Sequence, residues 1–164
     1  MKILAPSLLF LLSLNIALAS DFRERSFGES CEGIEVDENP LGSSLDPNNT
    51  RSKSFGFDAV YLDRFVKVGY FCSDENKFIK GIYWFKFSSK SEQFDFLEVS
   101  IPQLTDLYGE PESNSLVSVD SKKDDLHLHL FWINGDTKIT ALLSGNFDGP
   151  NSEKSFTIVF APNE

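Results

Sequence analysis

Two runs of alternating apolar residues, joined by a short polar turn, most constrain the fold of this chain. Side chains alternate between the two faces of a strand, so Val66, Val68 and Tyr70 share one face of the first run, residues 65–72. The second run, residues 78–87, is apolar on both faces, which is typical of a strand at the centre of a sheet or of one that meets a partner. Together the runs predict an antiparallel hairpin in a sheet that another layer must cover.

An amphipathic helix is predicted directly after this hairpin. Ser89 and Glu92 have the spacing of a capping box, in which both side chains bind backbone N–H groups at the start of a helix. Pro102 predicts a kink or break near Ser100, and Gly109 predicts the helix end. Apolar residues recur every three or four positions, as one stripe of a helix that packs on a sheet, at Phe94, Leu97, Ile101, Leu104 and Tyr108.

The remainder of the chain is rich in strand patterns. Asn134 and Gly135 predict a tight turn, because both residues tolerate positive φ. We therefore expect an α+β fold with an antiparallel sheet of about six to seven strands, one main Pro-kinked helix packed on one face, and the order β-β-β-α-β-β-β-β. Outside the hairpin, the predicted strands are residues 55–61, 116–119, 126–133, 137–143 and 156–160.

Length and charge narrow the possible classes of function. The chain has 164 residues, enough for one domain, and its 25 acidic and 15 basic residues give a formal charge of −10 at pH 7. An acidic surface repels phosphate groups, so we expect no nucleic-acid partner. Complementary fields raise association rates, which suits an acidic protein to a basic partner.

The N-terminus has the pattern of a secretory signal peptide. Lys2 precedes an apolar stretch, residues 8–18, and small residues stand at Ala17 and Ala19. We predict cleavage after Ala19, with the signal peptide at residues 1–19 and the product in the periplasm or the extracellular space. A membrane-spanning helix needs about 20 apolar residues, so we expect no transmembrane segment after cleavage.

The chain has two cysteines, Cys31 and Cys72, and both follow the predicted leader. Thiols oxidise outside the cytoplasm, so we predict one structural disulfide between them. Residues 20–54 contain few apolar residues and no periodicity, which predicts an irregular acidic N-terminal arm. We place a single α+β domain at residues 55–164, to which the disulfide ties the arm.

The predicted helix ends in Tyr108-Gly109-Glu110-Pro111, and the strands beyond it contain Trp132 and the stretch 137–142. This succession resembles a pattern in small exported bacterial proteins of unassigned function, where a helix ends in Tyr-Gly-x-Pro and strands with a Trp and a Thr-x-Ile stretch follow. The resemblance covers residues 65–161. It implies a location in the bacterial envelope and a small α+β module, and it brings no catalytic residue.

Two histidines and an aspartate on a predicted strand form a candidate metal site. Asp125, His127 and His129 are spaced two residues apart, so on a strand they share one face and could together bind a divalent ion. In the alternative interpretation, Leu126 and Leu128 face the core and the other three residues form the polar face of an amphipathic strand.

A run of acidic residues without Lys or Arg lies within the predicted arm. In one interpretation, such a run only keeps the segment solvated and binds nothing. It is also a candidate surface for a basic protein, because opposite charges steer association. Its members are Glu29, Glu32, Glu35, Asp37 and Glu38.

The sequence contains none of the motifs of nucleophilic catalysis or of phosphate binding, so we expect a non-enzymatic protein without a cofactor. We interpret it as an exported binding module, such as an inhibitor or immunity protein for a basic envelope-targeting protein. Two alternatives stay open. The 16 phenylalanines could line a pocket for an apolar small ligand instead of only filling the core, and His127 and His129 could support a metal-dependent activity.

Overall fold

The computed structural model describes residues 21–23, 25–48, 50–113, 116–120, 125–144 and 154–163. Its helices are α1 (Ile34–Glu38) and α2 (Lys90–Tyr108), and a 3₁₀ turn (Asn39–Leu41) continues α1. The strands, in chain order, are β1 (Ser44–Leu45), β2 (Ser54–Tyr61), β3 (Arg64–Cys72), β4 (Phe78–Phe87), β5 (Leu116–Asp120), β6 (Asp125–Asn134), β7 (Thr137–Ser144) and β8 (Lys154–Pro162).

All of these strands belong to one antiparallel sheet, with the spatial order β1-β2-β3-β4-β8-β7-β6-β5. The last strand, β8, therefore lies at the centre, between β4 and β7. This arrangement confirms an α+β fold built on an antiparallel sheet. Seven strands have five or more residues, and the two-residue β1 adds an eighth at the edge, which the sequence analysis did not predict.

The predicted hairpin is the β3–β4 pair. Val66, Val68 and Tyr70 are buried on one face of β3, as the alternation predicts. On β4, Tyr83 is buried on the same face, whereas Trp84 is half-buried on the opposite one. Because β4 has a paired neighbour on each side, its two apolar faces are explained by its central position.

Tight turns join the hairpins of the sheet. Leu62 and Asp63 form the turn between β2 and β3 with φ values of 50° and 57°, a conformation that non-glycine residues rarely adopt. Between β6 and β7, Asn134 pairs with Thr137, so the turn residues are 135–136, one position later than predicted. Gly135 supplies the positive φ of 60° there.

Helix α2 begins as the capping box predicts. Ser89 Oγ accepts a hydrogen bond from the Glu92 backbone N–H at 3.1 Å. The Glu92 carboxylate in turn accepts a hydrogen bond from the backbone N–H of Ser88 at 2.8 Å, one residue earlier than the usual position. The two bonds satisfy backbone donors at the start of the helix and so fix its first residue.

The sequence predicts a kink or a break near Ser100, and the break is wrong, because α2 runs without interruption from Lys90 to Tyr108 with Pro102 inside it. A proline removes only one backbone hydrogen bond, and Pro102 lies on the exposed side, where the carbonyl it leaves unpaired can bind water. The buried stripe also differs from the prediction, since Phe94 is 37% exposed. The buried residues of α2 are Gln93, Phe96, Leu97, Ser100 and Leu104.

The N-terminal segment is not irregular throughout, contrary to the prediction for residues 20–54. It contains α1, the 3₁₀ turn and β1, and its residues Phe22 and Ile34 are each only 1% exposed within the common core. The ring of Phe22 lies on Gly81 of β4, where a Cβ atom would come within 2.3 Å of it. The segment is therefore part of the core and not an appended arm.

The two faces of the sheet differ in what covers them. Helix α2 packs through Phe96 on Phe85 and Phe156, with ring centroids 4.7 and 5.7 Å apart, and the N-terminal segment covers the same face. We call this the core face. The opposite face, here the outer face, carries half-buried side chains such as Phe71, Ile82, Trp84, Val159 and Phe131.

Candidate functional site

A cavity of about 350 Å³ lies on the core face, where the N-terminal segment, the end of α2 and several strands of the sheet meet. The N-terminal segment contributes Asp21 and Arg23, and the turn between β6 and β7 contributes Asp136. Asn134 and Thr137 also line it, together with three tyrosines from β2, β4 and the end of α2, namely Tyr61, Tyr83 and Tyr108. We call this cavity the tyrosine cavity.

The tyrosine rings form a compact wall. The rings of Tyr61 and Tyr83 are stacked, with centroids 4.0 Å apart and an angle of 2° between their planes. Tyr108 lies edge-on to Phe160, with the ring centroids 6.2 Å apart. The cavity therefore presents both aromatic surfaces and hydroxyl groups to whatever enters it.

Burial keeps these phenols protonated. It raises the pKa of Tyr83 to about 12 and also raises the pKa of Tyr61 and of Tyr108. At neutral pH each hydroxyl is therefore neutral and able both to donate and to accept hydrogen bonds. This state suits binding, whereas a tyrosine acting as a general base would need a lowered pKa.

The cation of the cavity wall is held by a buried carboxylate. Arg23 Nε donates a hydrogen bond to Glu38 Oε1 at 2.8 Å, and its Nη2 donates to Ser43 Oγ at 3.1 Å. The hydroxyl of Tyr70 donates to the same Glu38 oxygen. The guanidinium carbon also lies 5.9 Å from the centre of the Tyr83 ring. The charge of Arg23 is thus balanced by Glu38, and the side chain is fixed in place.

Two further carboxylates line the cavity. Asp21 accepts hydrogen bonds from the Thr137 hydroxyl at 2.6 Å and from the Phe27 backbone N–H at 2.8 Å. Asp136 is exposed in the turn between β6 and β7. Within the described ranges neither carboxylate has an ion-pair partner, so the cavity lining carries an excess of negative charge.

The predicted disulfide is present. Cys31 is bonded to Cys72 at the end of β3, with Cα atoms 6.4 Å apart. Both residues are buried, and Cys31 lies just before α1. The bond fastens the N-terminal segment, which carries Asp21 and Arg23, to the sheet.

The candidate metal residues lie on β6, as the sequence predicts. The side chain of His129 is exposed, whereas the side chains of Asp125 and His127 lie outside the described residues. Leu128 is buried, as the alternative interpretation of this strand requires. In the part of the chain that the structure describes, no three His, Cys, Asp or Glu side chains form a group that could hold a metal ion. The metal site stays a prediction.

The acidic run does not form one surface. Glu38 is 1% exposed and bound to Arg23 and Tyr70, so its assignment to a partner-binding surface is wrong. Asp37 is half-buried and paired with Arg25 at 2.5 Å. The exposed members are Glu29, Glu32 and Glu35, and their role toward a partner stays a prediction.

The phenylalanines mainly fill the core. Phe57, Phe78, Phe85 and Phe156 are each 1% exposed or less. Among the phenylalanines that the structure describes, only Phe22 and Phe160 line the tyrosine cavity, so its wall differs from the predicted Phe-lined pocket.

The sequence analysis did not identify the tyrosine cavity. One sequence signal for it existed, because the chain has only four tyrosines. Three of them line the cavity, and the fourth, Tyr70, binds Glu38, the carboxylate that holds Arg23. Their positions, 61, 70, 83 and 108, follow no spacing that would place them together without the fold.

Comparison with protein-family models, with curated proteins and with solved structures finds no match for this chain. Among the described residues, neither helix combines the length and the apolar character needed to cross a membrane.

Proposed function

We propose that the protein is an exported, non-enzymatic binding module whose tyrosine cavity accepts a cationic group of a basic partner. The observation that carries the proposal is the charge of the lining. Arg23 is balanced by Glu38 at 2.8 Å, whereas Asp21 and Asp136 contribute two negative charges beside three tyrosine rings.

Aromatic rings and carboxylates together favour a cation. A cation over the face of an aromatic ring gains about 0.5 to 2 kcal/mol, more when it is desolvated. Tyr61, Tyr83 and Tyr108 provide ring surface and neutral hydroxyls, and Asp136 provides a charge at the turn. A guanidinium or ammonium group on an apolar stem matches this combination, because the stem can contact the rings while the charge meets the carboxylate.

Size and overall charge support a protein partner. A cavity of about 350 Å³ is near the lower end of ligand sites and accommodates one long side chain more readily than a large ligand. The formal charge of −10 raises the local concentration of a basic protein around the molecule. The exposed acidic residues Glu29, Glu32 and Glu35 add to this field.

The predicted leader and the disulfide support export. A Cys31–Cys72 bond is typical of oxidising compartments, and residues 1–19 have the pattern of a cleaved signal peptide. We infer a periplasmic or extracellular location, where an acidic module could act as an inhibitor or immunity protein against a basic envelope-targeting protein.

A titration followed by NMR tests the site. The probes are N-acetyl-arginine amide, which carries one positive charge, and the uncharged N-acetyl-norleucine amide. We expect saturable shifts of the Gly135 amide and of the tyrosine ring signals with the arginine probe only. Added salt should weaken the binding, because Asp136 is exposed and its charge is screened.

Matched variants assign the binding to the cavity. Asp136→Asn should lower the affinity for the arginine probe about three- to fivefold, because it removes an exposed ion pair that contributes up to about 1 kcal/mol. Asp95→Asn removes one charge from an exposed position of α2 outside the cavity and should have no effect. Equal binding of the norleucine probe, or equal loss in both variants, would contradict the proposal.

A separate assay tests the finer role. The turbidity of a bacterial cell-wall suspension is followed during lysis by a cationic muramidase, with increasing amounts of the protein present. Inhibition that Asp136→Asn relieves and Asp95→Asn retains would support an inhibitor. Binding of the arginine probe without inhibition would keep the cavity proposal and reject this target class.

A further inference from the structure

A second cavity, of about 280 Å³, lies on the outer face of the sheet, opposite the tyrosine cavity. Two glycines paired across β2 and β3, Gly56 and Gly69, form its floor. Two aromatic side chains, Phe71 and Trp84, and the aliphatic Ile82 form its walls. We call this cavity the glycine notch.

The register of the strands explains why a notch forms there. On the outer face one row of paired residues runs from Gly56 through Gly69 to Ile82, and the side chain of Ile82 leans over Gly69 so that an added Cβ would meet it at 2.8 Å. Phe71 and Lys67 stand on β3 on either side of Gly69, four residues apart, which is about 13 Å along a strand. Because Gly56 has no side chain, the space between Phe71 and Lys67 stays open beside Ile82.

The neighbouring row of paired residues contains two cations, Arg51 and Lys80, and the aromatic residue Phe71. Ser54 pairs with Phe71, Phe71 pairs with Lys80, and Arg51 forms a bridge with Ser54. Lys80 Nζ lies 4.3 Å from the centre of the Phe71 ring, and Arg51 lines the notch itself. Within the described parts of the chain neither Arg51 nor Lys80 has an ion-pair partner.

The next row has a different charge balance. Lys67 is paired with Asp46 and Asp58, at 2.7 and 2.6 Å, so this row carries one positive and two negative charges, against the two positive charges of Arg51 and Lys80. It borders the notch next to Trp84, its partner across β3 and β4. The charge excess of the notch is thus positive and lies at its Phe71 end, on a protein that is otherwise strongly acidic.

We propose that the glycine notch is a binding site for a small planar aromatic acid. The ring enters above Gly56, between the Phe71 row and Trp84, and the carboxylate meets Arg51 and Lys80. Flat rings fit a site walled by aromatic side chains, because stacked or edge-on contacts are favourable there. An anion at Arg51 and Lys80 gains charge-assisted hydrogen bonds, which are stronger than neutral ones.

This site is independent of the tyrosine cavity. The two lie on opposite faces of the sheet and carry opposite charge excess, so one can fail while the other holds. The test therefore uses different probes from those for the tyrosine cavity.

The experiment titrates the isotope-labelled protein with indole-3-acetate and, separately, with the uncharged 3-methylindole. The side-chain N–H signals of the two tryptophans are the reporters, and Trp84→Phe assigns them. We expect indole-3-acetate to shift the Trp84 signal and the Gly69 amide saturably and to bind about three- to fivefold more tightly than 3-methylindole, as one exposed ion pair allows. The buried Trp132 signal should stay in place.

Two variants locate the site. Arg51→Gln combined with Lys80→Gln should reduce the affinity for indole-3-acetate to that for 3-methylindole, whereas Lys53→Gln combined with Lys77→Gln, which removes the same charge outside the notch, should not. Gly56→Ala adds a methyl group to the floor of the notch and should lower the affinity for both probes.

Spectra of each variant show whether it is folded, and the charge variants report on the site even where Gly56→Ala does not fold. The proposal is overturned if indole-3-acetate causes no saturable shift, if 3-methylindole binds equally well, or if the two charge variants behave alike.

Discussion

The side chains of Arg23 and Glu38 form an ion pair that is almost completely buried, with exposed fractions of 9% and 1%. The pair joins the start of the N-terminal segment to the end of α1, and Tyr70 of β3 binds the same carboxylate. The pair has two roles at the tyrosine cavity. It fixes the side chain of Arg23 in the cavity wall, and the charge of Glu38 neutralises that of Arg23, so Arg23 does not offset the negative charges of Asp21 and Asp136.

Removing the cation of this pair should destabilise the fold strongly. Arg23→Met leaves Glu38 buried without its counter-charge, and we expect a loss of about 3 to 5 kcal/mol in the free energy of unfolding. Urea unfolding followed by circular dichroism measures it. The double variant Arg23→Met with Glu38→Gln should lose less than the sum of the two single losses, since the unpaired charge is gone. Additive losses would show that the two side chains do not interact.

The disulfide should contribute a comparable amount. Cys31 and Cys72 are 41 residues apart, and closing a loop of this length stabilises a fold by about 4 kcal/mol in the chain-entropy model. The variant with both cysteines changed to serine should therefore unfold at lower urea concentration. Chemical reduction of the parent protein should shift its midpoint by a similar amount, while reductant should leave the serine variant unchanged.

The strands and the start of α2 could be predicted because their signals are local. Val66, Val68 and Tyr70 alternate within one strand, and Ser89 and Glu92 are three residues apart, so each pattern is complete within a short window. The same reasoning placed the α2 stripe inaccurately at Phe94, because several helix faces carry apolar residues and only packing on the sheet selects between them.

The tyrosine cavity could not be predicted because it depends on contacts between distant elements. Phe22 becomes a core residue only because Gly81, far along the chain, leaves room for its ring. Asp21 is placed by Thr137, with which it shares a hydrogen bond of 2.6 Å. In the sequence, Glu38 belongs to an acidic run that predicts a surface position, and only the fold pairs it with Arg23. Neither composition nor periodicity contains this information.

The contact between Phe22 and Gly81 leads to a third prediction. Gly81→Ala places a methyl group within 2.3 Å of the Phe22 ring and should destabilise the protein by about 1 to 3 kcal/mol through overpacking. Phe22→Ala should lose about 3 to 5 kcal/mol, because a fully buried ring is removed. In the Phe22→Ala background, Gly81→Ala should cost much less, as the clash is absent. An equal cost in both backgrounds, measured by thermal and urea unfolding, would reject docking of this ring on Gly81.

Buried tyrosines predict a loss of stability at alkaline pH. Burial raises the pKa of Tyr83 to about 12 and also raises those of Tyr61, Tyr70 and Tyr108. In the unfolded chain these phenols release protons near pH 10, whereas in the folded protein they retain them. The folded state then binds more protons than the unfolded state, so the free energy of unfolding falls as the pH rises.

The effect has a defined window and a spectroscopic marker. The contribution of Tyr83 is complete below about pH 10 and declines as the pH rises to about 12, with a slope of up to about 1.4 kcal/mol per pH unit for one retained proton. Urea unfolding at several alkaline pH values measures the decline, and Tyr83→Phe should reduce its slope. The near-ultraviolet absorbance of tyrosinate should appear together with the loss of the circular dichroism signal. Tyrosinate formed near pH 10 while the protein is still folded would show that these hydroxyls are accessible to solvent, because only a phenol that water can reach ionises at its ordinary pKa.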